Sequence, residues 1–292
     1  QEAVSFYSSF QQIKERTSQA LWGNMGTGKI IMGNLNNIEN ATKSQVLELI
    51  NKAYVPENAI LTIVGNVDYT DILQKIENKF GIWDDVKVGL EERNVESEPG
   101  IYINKGSGNS TVLSIGFRAP GYGTANRLAV EMMVRILGSG SLQSRIVTEI
   151  RGKRGLAYNV GGFASFFEKR GTIGFTVVCD KNRSIETAKV LSDVIIQARE
   201  HGFNEDEIIR EKHVMETNMI LAIDNITEHL KYIGRCSSMD KNFYIENEIR
   251  LIRNIQKEYV DRAAKQLLWD LNMGVAVIGS SNAERLLETI AV

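Results

Sequence analysis

The sequence has few cysteines, little net charge and no long apolar run. Its two cysteines, Cys179 and Cys236, are too few to suggest a disulfide framework or a thiolate zinc cluster. The formal net charge of -2 gives no reason to expect a nucleic-acid or anionic membrane partner, because such binding needs clustered Lys and Arg. No stretch approaches the roughly 20 apolar residues of a membrane-spanning helix, and residues 1–10 lack the basic-then-apolar order of a signal peptide. We therefore expect a soluble protein, whose compartment the sequence does not specify.

The chain also lacks an initiating methionine, which predicts that it begins inside a longer gene product or after processing. With 292 residues, 43% of them hydrophobic, it is long enough for two domains or one large one. Strand patterns at 101–105, 110–119, 157–167 and 171–180 precede long helical patterns over 183–267. Strands followed by helices predict an α+β fold, with helices packed on a mixed, largely antiparallel sheet.

The remaining local patterns are shorter. Apolar spacing from Val4 to Leu21 predicts an opening helix, and the β-branched run AILTIVG at 59–65 predicts a strand. Further helices are expected over 124–137 and 141–153. The polar, acidic stretch 84–100 is typical of a linker and marks a domain boundary.

An internal repeat relates the two ends of the chain. With a shift of 214 residues, 35–65 aligns without gaps on 249–279 and keeps the same order of helix, turn, strand and glycine. The coinciding pairs are Ile38 and Ile252, Asn40 and Asn254, Lys43 and Lys257, Val46 and Val260, Asn58 and Asn272, and Gly65 and Gly279. If the second copy begins at 101, the stretch 101–214 has no counterpart in the first copy. The repeat therefore predicts a duplicated domain whose first copy is truncated at its N-terminus.

Two stretches of the chain carry a family resemblance. One is YVPENAILTIVGNVDYTDILQKIENKFG at 54–81, and the other, over 113–162, contains a specific combination of residues. That combination is Pro120, Gly138, Ser144, Arg145, Arg151, Gly155 and Tyr158. On these residues the chain resembles the pitrilysin or insulinase-type zinc peptidases, which include the mitochondrial processing peptidase, and the resemblance covers nearly the whole chain.

The resemblance implies duplicated α+β domains that face each other across a chamber for extended peptides. Residues 1–83 would then be the C-terminal portion of a first, zinc-type domain, 84–100 the linker, and 101–292 a second, non-zinc domain. Family members hold zinc with a helical His-x-x-Glu-His in the first domain, where two His one turn apart share a helix face and the Glu activates water. A further Glu downstream completes the ligand set.

That histidine motif is absent from this sequence. The three histidines are His201, His213 and His229, and none begins or ends the pattern. A helix carrying His213 and Glu216 is more simply a solvated face.

In the second copy the matching helix has Leu128 and Met132 where the histidines would stand, and it retains Glu131 alone. That helix is not expected to bind zinc, and Glu131 is expected to be a surface or packing residue. We therefore expect no cofactor in this chain and place the zinc in the missing or partner half.

Three residues remain as candidates for a site. The resemblance makes Arg151 and Tyr158 a clamp that reaches from the second domain towards the substrate carbonyl at the zinc site. The alternative is that Arg151 pairs at the end of its helix and Tyr158 packs its ring at the start of a strand. Glu2 falls near the position of the downstream zinc-binding Glu, and the alternative for it is an N-terminal carboxylate without a ligand role.

Two functions are compatible with these residues. In the first, the chain is the C-terminal portion or a non-catalytic subunit of a zinc peptidase, and it supplies the chamber wall and the clamp. In the second, it is a catalytically inactive peptide-binding or scaffold subunit of the same fold. Both imply a peptide or unfolded polypeptide as partner, and the first adds a zinc-bearing N-terminal half or partner subunit, in a possible homo- or heterodimer. In either case we expect the chain alone to cleave no peptide.

Overall fold

A five-stranded mixed sheet organises the part of the chain after residue 100. In the computed structural model the described residues are 1–8, 10–83, 97–106, 108–139, 141–239, 241–242, 244–279 and 283–290. The strands are β1 (Ile101–Asn104), β2 (Ser110–Pro120), β3 (Ala157–Phe166), β4 (Arg170–Asp180) and β5 (Met273–Ile278). Their order is β1-β5-β2-β4-β3, and the β1–β5 pair is parallel while the other pairs are antiparallel. The prediction of helices on a mixed, largely antiparallel sheet is confirmed, and β3 and β4 form an antiparallel hairpin.

The helices occupy most of the remaining described chain. They are α1 (Glu2–Ser8), α2 (Ile13–Trp22), α3 (Leu35–Glu39), α4 (Lys43–Ala53), α5 (Tyr69–Phe80), α6 (Arg127–Val134), α7 (Ser184–His201), α8 (Glu205–Asp224), α9 (Ile226–Ser238), α10 (Ile245–Arg253), α11 (Lys257–Leu267) and α12 (Ala283–Leu287). The predicted opening helix is divided into α1 and α2 by a short 3-10 turn. The predicted helices at 124–137 and 141–153 contain π-helical turns at Arg135–Ser139 and Val147–Lys153.

The chain divides into two compact units. Unit 1 comprises Gln1–Gly33, Arg93–Glu216 and Arg250–Val292, and unit 2 comprises Asn34–Glu92 and Thr217–Ile249, each considered over its described residues. Residues 84–96 of the predicted linker lie outside the described residues. The domain boundaries predicted from the sequence therefore stay a prediction.

The core of unit 1 lies between one face of the sheet and the helices α6, α7 and α11. Phe117, Phe175, Leu113 and Ile115 are completely buried there, because residues that alternate along β2 and β4 point towards the helices. Helix α2 covers the opposite face, where the Thr17 hydroxyl lies 2.7 Å from the Ser114 hydroxyl. Unit 1 is thus a sheet with helices on both faces.

Unit 2 contains α3, α4, α5 and α9 together with an extended segment at 59–64. The start of α4 is set by a capping box, in which Thr42 and Gln45 each satisfy a backbone N–H of the other. The strand predicted at 59–65 is not formed, since none of the described residues pairs with it as a ladder. A β-branched run favours extended backbone, but a strand also needs a neighbour that exchanges hydrogen bonds with it.

Candidate functional site

Tyr158 lies at a β-bulge at the beginning of β3. Ala157 is opposite Cys179 and Asn159 is opposite Val178, so the register shifts at Tyr158 and leaves it without an opposing residue. A bulge bends the strand locally and re-aims the side chain of the extra residue. The side chain of Tyr158 is accordingly 85% exposed, at the edge of the described sheet. The predicted alternative, in which its ring packs at the strand start, is not what the structure shows.

The turn that precedes the bulge is firmly held. Gly155 adopts a positive φ of 55°, a conformation that favours glycine, and the N–H of Leu156 then donates to the Ile150 carbonyl at 2.8 Å. Ile150 and Leu156 are buried in the core of unit 1. Arg183 reaches over and donates to the Gly155 carbonyl at 3.0 Å. The segment between the π-helical turn and β3 is therefore fixed at both ends by burial and hydrogen bonds.

Arg151 is presented by the π-helical turn Val147–Lys153, whose buried residues Val147 and Ile150 anchor it to the core. Its guanidinium carbon lies 5.9 Å from the centre of the Tyr158 ring, within the range of a cation–π contact. The structure therefore brings together the arginine and the tyrosine that stand seven residues apart in the sequence.

Arg151 differs from the two basic residues that follow it. Lys153 pairs with Glu149 at 2.6 Å, and Arg154 also pairs with Glu149. The hydrogen bond from Lys153 is the largest cause, and that from Arg154 the next, of a lowered pKa of the Glu149 carboxyl. Glu149 is therefore ionised at neutral pH. Within the described residues Arg151 forms no such ion pair, so its N–H groups can donate to a ligand. An exposed guanidinium beside an exposed phenol can bind a carbonyl or carboxylate oxygen.

The helix that matches the zinc helix of the family does not offer zinc ligands. Leu128 and Met132 are buried in the core cluster, and Glu131 lies 3.4 Å from Arg127 in an ion pair. Two apolar side chains facing the core and one carboxylate paired with arginine do not fit a tetrahedral zinc site. The residues present here thus do not hold the metal that the resemblance implies for the family.

The remaining residues considered as metal ligands do not lie together in the described structure. His213 is exposed on α8, as expected for a solvated face, whereas the side chain of Glu216 is half-buried and pairs with Arg253. Glu2 lies exposed in the first turn of α1, and its role as a zinc ligand stays a prediction. Across the described chain, no three His, Cys, Asp or Glu side chains are grouped in a way that could hold a metal ion.

Sequence reasoning missed two carboxylates on α8, the half-buried Glu207 and the buried Glu211. Arg145 makes two hydrogen bonds with Glu207, at 2.7 and 2.6 Å, and Arg135 pairs with the buried Glu211. Burial alone would raise the pKa of Glu207, but hydrogen bonds from Arg145 and a backbone N–H lower it on balance. Burial raises the pKa of Glu211, and the charge of Arg135 only partly offsets this. The four-residue spacing of the glutamates on one helix was the available signal.

The described helices include none with both the length and the apolar character needed to cross a bilayer.

The fold and the candidate site together define a class of protein domain. It is an α+β domain with helices on a mixed sheet, which presents an arginine and a tyrosine at the sheet edge and lacks zinc ligands on the helix where the zinc peptidases carry them. The family model described as the peptidase M16 inactive domain matches residues 40–215, more than half of the chain. The chain belongs to this family, so the resemblance found in the sequence is confirmed.

Curated relatives carry the name of zinc proteases. An uncharacterized zinc protease of Mycobacterium tuberculosis is 26% identical over 274 residues, and the match covers 92% of this chain and 62% of the relative. One from Rickettsia felis is 27% identical over 276 residues, covering 92% of this chain and 65% of the relative. The chain therefore spans less than two thirds of the length of these relatives.

Solved structures share the fold. A peptidase M16 inactive domain from Pseudomonas fluorescens has a TM-score of 0.84 at 19% identity, covering 96% of this chain and 68% of that chain. A chain of complex III2 from Candida albicans, with Inz-5 bound, has a TM-score of 0.85 at 14% identity, covering 99% and 72%. At these identities the likeness concerns the fold alone.

Proposed function

We propose that this chain forms the wall of a peptide-binding chamber, in which Arg151 and Tyr158 contact the substrate while hydrolysis takes place at a zinc site outside the chain. The observation that carries the proposal is the pairing of an exposed Tyr158 on a bulge with an Arg151 that makes no ion pair among the described residues. Membership of the M16 inactive-domain family and the names of the relatives support it.

The chemistry of the pair suits a developing negative charge. Peptide hydrolysis places that charge on the carbonyl oxygen, and fixed hydrogen-bond donors stabilise it most in a site from which water is excluded. The guanidinium of Arg151 and the hydroxyl of Tyr158 both donate, and the buried turn beneath them limits their movement. Loss of one such donor typically costs about 3 kcal/mol of transition-state stabilisation.

The test uses the chain assembled with its zinc-bearing half and a quenched fluorescent peptide. Arg151→Ala is expected to lower kcat about 100-fold or more with a small change in KM, because the contact strengthens in the transition state. Lys153→Ala is the matched control, since it removes a neighbouring positive charge that pairs with Glu149, and it should leave kcat within about twofold. Equal effects of the two substitutions would assign Arg151 to general electrostatics, and an unchanged kcat would remove it from the site.

A peptide-binding subunit without hydrolysis is the second function. The observation that favours it is the replacement of zinc ligands by Leu128 and Met132, both buried in the core. In that case Arg151→Ala would weaken the binding of a fluorescein-labelled unfolded peptide, measured by anisotropy. No condition, including assembly with the other half, would then produce turnover.

A further inference from the structure

Two arginines lie beside the Arg151 and Tyr158 pair and have no role in the proposed function. Arg154 directly follows the π-helical turn that presents Arg151. Arg183 follows β4 and reaches the same turn, where it donates to the carbonyl of Gly155 at 3.0 Å and to that of Arg154 at 3.3 Å. The side chains of Arg154 and Arg183 are 41% and 43% exposed. The area formed by these two side chains is here called the basic surface.

Positive charge exceeds negative charge around this surface, although the chain as a whole has a net charge of -2. The segments 149–155 and 180–186, which Arg183 connects, contain five cations and three carboxylates. The cations are Arg151, Lys153, Arg154, Lys181 and Arg183, and the carboxylates are Glu149, Asp180 and Glu186. The excess of positive charge is therefore a local feature, and it attracts anionic groups.

Arg154 shares its counter-ion with a second cation. Glu149 pairs with Lys153 at 2.6 Å and also with Arg154, so two cations share one negative charge. Arg154 uses its Nη1 group for this pair and for the Glu149 carbonyl at 3.2 Å. A guanidinium carries five N–H donors, and within the described residues the Nε and Nη2 groups of Arg154 have no acceptor. Arg154 therefore retains charge and donors for a ligand.

Arg183 has a more distant counter-ion. Glu186 lies 3.9 Å from its Nη2 group, which is longer than a hydrogen bond. Asp180, three residues before Arg183, instead accepts the backbone N–H of Asn182 at 2.8 Å. The bonds from Arg183 to two backbone carbonyls hold its guanidinium in place without neutralising it, because a carbonyl carries no net charge. Little side-chain entropy is then lost when Arg183 binds an anion.

We propose that the basic surface binds a carboxylate of the bound polypeptide, and that this carboxylate belongs to an Asp or Glu side chain. Arginine suits this role because its guanidinium forms short, charge-assisted hydrogen bonds with carboxylates. The inference rests on the proposed function, since it takes the polypeptide to lie across Arg151 and Tyr158. A polypeptide bound there through an internal carbonyl continues past the turn, which brings its side chains within reach of Arg154 and Arg183. A C-terminal carboxylate would require the polypeptide to end at this position. The basic surface thus makes the site selective for acidic polypeptides.

This inference and the proposed function can fail separately. A kcat that does not respond to Arg151→Ala, combined with a preference for acidic peptides that depends on Arg154 and Arg183, contradicts the function alone. A kcat that depends on Arg151, without any preference for acidic peptides, contradicts this inference alone.

The experiment uses the chain by itself and measures peptide binding by fluorescence anisotropy. Three peptides of equal length carry fluorescein at the N-terminus and an amide at the C-terminus, and they differ only at two adjacent central residues, which are Glu, Gln or Lys. The Glu peptide should bind at least about tenfold more tightly than the Gln peptide, because hydrogen bonds between charged groups are the stronger ones, and the Lys peptide should bind most weakly. An increase in salt from about 0.1 M to 1 M shortens the Debye length from about 10 to 3 Å, and should reduce this preference at least about threefold.

A fourth peptide tests the source of the carboxylate. It has central Gln residues and a free C-terminal carboxylate, and it should bind like the amidated Gln peptide. Binding as tight as that of the Glu peptide would assign the basic surface to a C-terminal carboxylate and contradict its assignment to acidic side chains.

Substitutions identify the residues that produce the preference. Arg154→Gln and Arg183→Gln should each reduce the preference for Glu over Gln at least about threefold, and the double variant should abolish it while the affinity for the Gln peptide stays within about twofold. Arg183→Lys keeps the charge and should retain more of the preference than Arg183→Gln. Arg253→Gln is the matched control, because it removes the same charge from an exposed arginine of α10 that pairs with Glu216, and it should leave the preference unchanged.

Amide exchange of Leu156 reports whether the turn itself is intact, since its N–H donates to the Ile150 carbonyl. This exchange should be unchanged in Arg154→Gln. A preference that is lost in Arg183→Gln together with faster exchange of Leu156, but is unaffected by Arg154→Gln, would assign Arg183 to the fold of the turn and overturn the inference.

Three further results would overturn it. One is equal affinity for the Glu and Gln peptides, or no measurable binding of the Glu peptide. Another is a preference that survives in the double variant. The third is a preference that Arg253→Gln removes as well, which would assign it to the overall charge of the chain.

Discussion

Substitution of Gly116 by alanine tests how closely α2 lies on the sheet. Gly116 of β2 is directly opposite Gly274 of β5, and α2 crosses over this pair. A Cβ atom on Gly116 would come closer than 3.0 Å to the Cγ2 of Thr17, and one on Gly274 would meet Leu21 at 2.9 Å. The absence of side chains at these two positions is what allows the helix to rest on the strand backbone.

The expected loss of stability for Gly116→Ala is about 2 kcal/mol. Overpacking in a well-packed interior costs about 1–3 kcal/mol. Thr17 is fully buried and its hydroxyl lies 2.7 Å from both the Ile13 carbonyl and the Ser114 hydroxyl, so it cannot rotate away without breaking these bonds. The better strand entropy of alanine, about 0.5–1 kcal/mol, offsets only part of this. The clash outweighs the gain in strand entropy, so Gly116→Ala should lower the free energy of unfolding.

A double-mutant cycle isolates the clash. Thr17→Ser removes Cγ2 but keeps the hydroxyl, and on its own it should cost about 1 kcal/mol for the lost methyl group. Because the serine leaves room for the alanine, the double variant should be more stable than the sum of the single losses by at least about 1 kcal/mol.

Urea denaturation followed by tryptophan fluorescence measures these free energies, and Trp22 reports on this contact because its indole N–H donates to the Thr172 hydroxyl. Gly152→Ala is the control, because a Cβ atom there meets nothing within 4 Å. It should change stability by less than about 1 kcal/mol. Strict additivity of Thr17→Ser and Gly116→Ala, or no loss for Gly116→Ala, would refute the placement of α2 on this pair of glycines.

Three further predictions concern two carboxylates and zinc. Because the folded-state pKa of Glu211 is raised, the native state holds its proton more tightly than the unfolded state, and stability falls as pH rises through that pKa; Glu211→Gln should abolish this fall in urea titrations across acidic pH. The pKa of Glu207 is lowered, so its ionised form stabilises the native state and this contribution is lost as pH falls. Glu207→Gln should therefore lower the free energy of unfolding by about 1.5–3 kcal/mol at neutral pH and by less at acidic pH. Parallel curves of stability against pH for the Glu207 and Glu211 variants would contradict both predictions. The chain alone should retain no stoichiometric zinc after dialysis, measured by elemental analysis, and one tightly bound zinc per chain would refute this.

Much of unit 1 could be predicted because its signals are local. The strand patterns at 110–119, 157–167 and 171–180 were sufficient to predict β2, β3 and β4, since β-branched and apolar runs bounded by turn residues act over a few residues. The π-helical turn at Val147–Lys153 was not predictable, because its apolar spacing is compatible with an ordinary helix.

Local sequence signals predicted only part of the arrangement of Arg151 and Tyr158. Their identities and spacing pointed to a pair, but the choice between a packed ring and an exposed one depended on the bulge at the start of β3. A bulge arises from the register between two strands, which no local pattern of residues specifies.

The sequence by itself determined the family, the order of strands and helices after residue 100, and the absence of a histidine motif for zinc. Tertiary structure alone decided that α2 covers the sheet of unit 1, that Tyr158 is exposed beside an Arg151 that forms no ion pair with the other described residues, and that 59–64 is extended without forming a strand. The reason is physical. Periodicity specifies which side of an element is apolar, whereas burial and strand pairing depend on which partner is present to complete the core and the hydrogen bonds.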